Sequence, residues 1–287
     1  MRKDASSKTS FQEKLFINES QKTYIKMSDD EEIFCQYSIN DNDKSDFTLL
    51  FIQGFASGYF TWSDCWDAFY QKFNMVILDP RDKLSNKLTR KSKCSIHRIA
   101  QDFVETIKFL ELDEKKLVLF GSSIGASYTA HLVSQNLIKP KGVFITGVSR
   151  RPRSPRILVK ILFLFPGFVV NSIGKTIAKL YLRNKVAEGF QKEIYKERIK
   201  TIDFRRWKLC RQLHDWDATS DFKNMKGPVF LISTPKDKYH EKEEEEIIKK
   251  LISNCKVITV PNYDFTHTKP EVYKFANIIK EKILKEM

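Results

Sequence analysis

The sequence predicts an α/β architecture in which a mostly parallel sheet of about eight strands is flanked by helices and interrupted once by a helical insertion. Three observations carry this reading. Short apolar runs alternate with segments of helical period along most of the 287 residues. In KKLVLFGSSIGASYTAHL, Lys115–Leu132, an apolar strand runs into Gly-Ser-Ser-Ile-Gly and straight on into a helical pattern. Between about Ser149 and Phe222 the alternation stops, and basic helical periodicity replaces it.

The opening MRKDASSKTSFQEKLF has no apolar core of the kind a secretory signal needs, and Asp4 and Glu13 argue against a transit peptide, so residues 1–22 read as a polar tail and the expected location is cytoplasmic. TYIKM (23–27) and IFCQY (33–37), split by the charged turn SDDEE, predict an antiparallel hairpin. FTLLFIQG (47–54) and NMVILDP (74–80) predict buried strands. A helix follows from about Ser95, because Ile99, Phe103, Ile107 and Leu110 recur at helical spacing. LVLF (117–120), a helix from Ile124 and GVFITGV (142–148) complete a first core part spanning 23–148. The helical insertion spans 149–222. A second core part, 223–287, resumes with GPVFLIS (227–233), a charged helix, CKVITVP (255–261) and a closing helix from about Pro270. No repeat of solenoid length occurs.

Five cysteines at 35, 65, 94, 210 and 255 are odd in number, scattered and without a CxxC pair, so neither a disulfide framework nor a metal site is expected. The net charge of +14 is unevenly placed. Between Arg150 and Arg211 stand seventeen Lys or Arg against four acids, Glu188, Glu193, Glu197 and Asp203, while the rest of the chain is nearly neutral. A field this concentrated attracts anionic surfaces or substrates.

Within the insertion, ILVKILFLFPGFVV (157–170) is too short and too broken by Lys160 and Pro166 to span a bilayer. In the next helix Ile173, Ile177, Leu180 and Tyr181 share one face and Lys175, Lys179 and Arg183 another. Two readings follow: a cap helix packed on the core through its apolar face with its lysines in water, which is the ordinary case, or an amphipathic helix lying on an anionic membrane. RRPRSPR and the later cations with Tyr181, Tyr195 and Trp207 between them match no nucleic-acid-binding module, and no nucleic acid is expected as partner.

The chemistry concentrates in two loops. A nucleophile elbow needs glycines two residues either side of its serine, because the strand-to-helix turn leaves no room for side chains there. Gly121 and Gly125 flank Ser123 in this way, and the N-terminal amides of the following helix favour negative charge. Acyl transfer also needs two N–H donors for the oxyanion. Ile124, following the serine, offers one; Phe55, in the loop after FTLLFIQG where Gly54 lets the chain turn, offers the other.

The order of these pieces resembles the α/β-hydrolase family from about Thr23 onward. FIQGFASGYFTW is similar to the family's HG-x-x-x-x-x-x-x-W stretch and GSSIGAS to its elbow. GPVFLISTPKDKY resembles the strand and loop that present the catalytic acid, which implies Asp237 in that role. VPNYDFTHTKPEVYKF resembles the histidine segment. The resemblance implies a serine esterase or lipase with a helical cap and no cofactor, acting on a small-molecule acyl ester or thioester, and the apolar and basic insertion points to a substrate of lipid type.

Three departures stand out. Gln53 occupies a position where many relatives carry histidine, and LDPRDKLSNKL lacks the glycine pair usual after its strand. In PNYDFTHTKPE the register stays open: one alignment puts Asp264 at the catalytic histidine, an ungapped one puts Phe265 there, and His267 serves if the loop is remodelled. A second function class therefore stays open as well. It is a non-catalytic binding or trafficking adaptor of the maspardin-like branch, peripheral on anionic membranes through the basic cap at 150–211. The sequence does not specify an oligomeric state.

Overall fold

Strands apolar at both phases of their period require cover on both faces, and the chain supplies it. The computed structural model describes residues 15–39, 45–55, 57–151, 156–185, 190–234 and 242–287. Eight strands form one sheet: β1 Gln21–Lys26, β2 Glu32–Ser38, β3 Ser45–Ile52, β4 Phe73–Leu78, β5 Leu117–Ser122, β6 Gly142–Thr146, β7 Val229–Ser233 and β8 Cys255–Thr259. Their spatial order is β1-β2-β4-β3-β5-β6-β7-β8, with β2 antiparallel to β1 and β4 and every later pair parallel. The central strands β3 and β5 bring the two loops singled out above to the same edge of the sheet.

The helices are α1 Leu15–Glu19, α2 Tyr59–Tyr70, α3 Ile96–Phe109, α4 Ile124–Ser134, α5 Arg156–Leu164, α6 Gly167–Lys185, α7 Phe190–Thr201, α8 Phe204–Leu209, α9 Thr219–Lys223, α10 Lys242–Leu251, α11 Asp264–His267 and α12 Glu271–Glu286. Helix α3 starts where the sequence indicates, with the Ser95 hydroxyl accepting from the Arg98 N–H and so satisfying one of the orphan donors of its first turn. On one face of the sheet, α1, α2 and α12 cover an aromatic layer in which Phe51 stacks on Phe120 at 4.8 Å. On the other, α3, α4, α9 and α10 cover Leu50, Ile52, Leu119, Val143 and Leu231. Residues expected to lie in a polar tail contribute to this core: Phe16 of α1 is fully buried, edge-on to Trp66 and Tyr70.

Helices α5 to α8 lie between β6 and β7. Helix α6 does not pack as its apolar stripe suggests. Val170, Gly174 and Leu182 face inward, whereas Ile173, Ile177, Leu180 and Tyr181 are exposed. The reason is steric. Phe204 lies flat against Gly174, where a Cβ would sit 2.5 Å from the ring, so the narrow side of the helix is the one that seats on its neighbours.

One ionic cluster holds the loop after β4. Arg81 is completely buried and donates to Asp102 through Nε at 2.7 Å and to Asp29 through Nη1 at 2.7 Å, joining the β1–β2 turn to α3. Removing the guanidinium leaves buried Asp102 and half-buried Asp29 to share Arg98, with the two short bonds to Arg81 lost from each side of the cluster. Arg81→Met is therefore expected to cost about 3–5 kcal/mol of unfolding free energy, read from urea denaturation; a loss below about 1 kcal/mol would contradict this role.

Candidate active site

Strand β5 ends at Ser122 and α4 begins at Ile124, which leaves Ser123 alone at the turn with φ 55° and ψ −126°. A non-glycine residue holds this left-handed conformation only where its surroundings impose it. Here the Ser123 N–H donates to the Thr146 carbonyl at the end of β6, and its own carbonyl accepts from the Ala126 N–H, both at 2.9 Å. The flanking glycines meet backbone directly. A Cβ on Gly125 would lie 2.1 Å from the Ile52 carbonyl oxygen, and one on Gly121 would lie 2.5 Å from the Thr129 hydroxyl. Helix α4 thus rests on the end of β3 with no space between them.

The loop after β3 is fixed through one carbonyl. Gly54 O accepts from the Ser57 N–H at 3.3 Å, from Ser57 Oγ at 2.6 Å and from Lys83 Nζ at 2.7 Å. In a planar trans peptide the following N–H points the opposite way. Three donors on the Gly54 oxygen therefore turn the Phe55 N–H away from Lys83. A Cβ on Gly54 would stand 2.8 Å from Ser123 Cβ, so this peptide lies against the serine. Among the described residues, neither the Phe55 nor the Ile124 N–H is bonded to a backbone carbonyl. Gln53 braces the loop, because its side-chain amide donates to Asp79, which also accepts from the Ser85 hydroxyl. Burial pushes the Asp79 carboxyl up, while Ser85, the Lys83 charge and Gln53 act in the opposite direction.

His267 closes α11. Its ring is buried between Tyr263, stacked at 3.7 Å between ring centres, and Trp62 at 4.1 Å. Nδ1 lies 3.0 Å from the Tyr263 carbonyl and 2.7 Å from Thr266 Oγ1. A carbonyl only accepts, so Nδ1 carries the proton when it engages Tyr263, and the lone pair is on Nε2. The other candidates of this segment lie elsewhere: Asp264 is exposed, and Phe265 packs on the aromatic layer.

Ser123, His267, Gly54, Phe55 and Trp62 line one cavity of about 80 Å³. The loop carrying Asp237 lies outside the described residues; Thr234, just before it, borders the cavity. Further lining comes from residues to which the sequence assigned no place in this site. Tyr195 reaches the cavity from α7, and Ser57 and Thr146 sit at the ends of neighbouring loops and strands. Lys83, within LDPRDKLSNKL, carried no signal of its own in the sequence. Phe55 and Tyr195 also border a second, almost wholly apolar cavity of about 690 Å³ among α5, α6, α7 and α8, lined by Val159, Ala178, Ile199 and Trp207 among others. Among the described residues no group of three His, Cys, Asp or Glu side chains is placed to hold a metal ion.

No protein-family model matches the chain, and no curated protein matches it in sequence. Solved structures match it in shape. An esterase from Thermogutta terrifontis superposes with a TM-score of 0.72 at 16% identity over 92% of this chain and 99% of that one. A hydrolase from Pseudomonas aeruginosa PA01 gives 0.68 at 14% identity over 91% and 98%, and an esterase from Exiguobacterium antarcticum 0.69 at 12% identity over 92% and 100%.

The chain has the α/β-hydrolase fold. At such identities the likeness lies in strand order and crossovers rather than in side chains.

The contact of α4 with β3 makes a direct test. Gly125→Ala is expected to lower stability by at least about 2 kcal/mol, because a methyl group has no space beside the Ile52 carbonyl. An unfolding midpoint unchanged from the parent protein would refute that geometry.

Proposed function

We propose that the protein is a serine hydrolase that cleaves a carboxylic ester or thioester of an acyl-lipid-like substrate. The observation that carries the reading is the placing of the Ser123 and His267 side chains on one cavity wall beside the Gly54–Phe55 peptide. Ser123 Oγ attacks the acyl carbonyl while His267 Nε2 takes its proton. The Phe55 and Ile124 N–H groups stabilise the oxyanion. Collapse of the tetrahedral intermediate expels the alcohol or thiol, which receives that proton, and leaves an acyl-serine. Water, deprotonated by His267, then releases the acid and restores Ser123. Asp237, which follows β7 in sequence, stabilises the imidazolium. The Tyr263 carbonyl on Nδ1 holds the useful tautomer.

The lipid-like acyl group rests on the apolar cavity that shares Phe55 and Tyr195 as lining residues with the Ser123 cavity. Drug-sized ligands occupy volumes of this order. In this reading α5 to α8 act as a cap. Similar solved structures include esterases and, at a TM-score of 0.65 and 13% identity, a membrane phospholipase A. The adaptor reading has less support, because it expects the histidine turned outward, whereas His267 is buried and borders the Ser123 cavity.

Turnover of p-nitrophenyl esters tests the proposal. Ser123→Ala and His267→Ala are each expected to lower kcat/KM by about 10³-fold or more, and long acyl chains are expected to outperform acetate. Turnover that survives Ser123→Ala would reject the mechanism.

A further inference from the structure

The apolar residues of the cap that find no partner are concentrated on α5 and α6. Ile157 is 76% exposed, Leu164 83% and Phe168 73%, and Ile161, Ile177 and Tyr181 are at least half exposed. Single exposed hydrophobes are ordinary, but a contiguous patch on two successive helices marks a contact surface.

The patch has two distinctive neighbours. First, Ile161, Ile177 and Tyr181 also line the 690 Å³ apolar cavity, so its mouth opens within the exposed face rather than beneath it. Second, a cleft of about 740 Å³ lined by Arg90, Lys93, Arg206, Lys208 and Arg211 borders the turn between α5 and α6. Gly167 lies in its wall, and Lys208 Nζ donates to the Phe165 carbonyl at 2.6 Å. Arg205 in this cleft is paired with Asp203 at 2.7 Å, but Arg90, Lys93 and Arg211 have no carboxylate within ion-pair distance among the described residues. Trp207 and Phe204 line the apolar cavity while Arg205, Arg206 and Lys208 line the cleft, so α8 separates an apolar compartment from a cationic one.

We propose that this face docks on an anionic phospholipid bilayer, with Leu164 and Phe168 inserted among the acyl chains and the Arg90–Lys93–Arg211 cleft on lipid phosphates. Exposed apolar side chains beside a cleft of unpaired cations match a surface that is apolar within and negative at its headgroups. Among the described residues no helix is long and apolar enough to cross a membrane, so the contact is peripheral. An acyl chain leaving the bilayer then enters the cavity mouth between Ile161 and Tyr181 and runs toward Phe55 and Ser123. This last step rests on the hydrolase reading; the docking does not.

Vesicle flotation with the full chain as Ser123→Ala separates the two. Equal parts of phosphatidylcholine and phosphatidylserine are expected to bind the protein, phosphatidylcholine alone at least about tenfold less, and added salt to weaken the binding. Phe168→Asp with Leu164→Asp is expected to reduce affinity by about tenfold or more. Lys93→Glu with Arg211→Glu should reduce it comparably, each variant keeping the parent melting temperature. Equal binding to neutral and anionic vesicles, binding to neither, or full binding by both double variants would overturn the proposal. So would tight binding to duplex DNA in place of vesicles, or saturation by soluble glycerol phosphate with no vesicle binding. Soluble-ester turnover by the parent protein reports on the hydrolase reading independently.

Discussion

Helix α4 sits on the end of β3 with glycine against carbonyl, and the surroundings of Ser123 follow from that contact. Only because Gly125 has no side chain can the helix start directly above Ile52. Only because it starts there does Ser123 take up its left-handed turn, with its backbone tied to the end of β6. The parallel pairing of β3 with β5 brings Gly54 against the serine from the other side. Local strain at one residue is thus held by the whole central sheet, which buries apolar side chains on both faces and cannot shift one strand without the next.

Electrostatics complete what packing begins. Lys83 is a buried ammonium whose neighbours are the Gly54 carbonyl and Asp82 at 3.0 Å. Its hydrogen bond polarises the Gly54–Phe55 peptide in the sense that makes the Phe55 N–H a better donor. Gln53 and Asp79 brace this loop from within, and Lys83 holds it from the unusual loop that follows β4. The same charged loop supplies Arg81, so the stability of the hairpin and the orientation of the candidate oxyanion donor come from one short run of sequence.

The mostly parallel sheet and most of its elements were legible because each rests on local signals: apolar runs, glycine spacing and a capping serine. The elbow was legible for the same reason, since its glycines are demanded by contacts within a few residues in space. The histidine register was not, because PNYDFTH folds into a short helical turn that brings His267 rather than Asp264 inward, and loop geometry leaves no period to read. Helix α6 misled in a different way. Its apolar stripe is real, but Gly174 against Phe204 selects the opposite side for packing, a contact between residues thirty positions apart. Phe16 was hidden by the polar residues around it, and Asp237 lies outside the described residues.

The central claim is that Ser123 is a nucleophile activated by His267, and peptide mapping after treatment with a fluorophosphonate tests it most directly. The account expects a single covalent adduct on the peptide containing Ser123, with its formation slowed at least about a hundredfold in His267→Ala. An adduct on another residue, no adduct at all, or labelling of Ser123 at the same rate without His267 would contradict it.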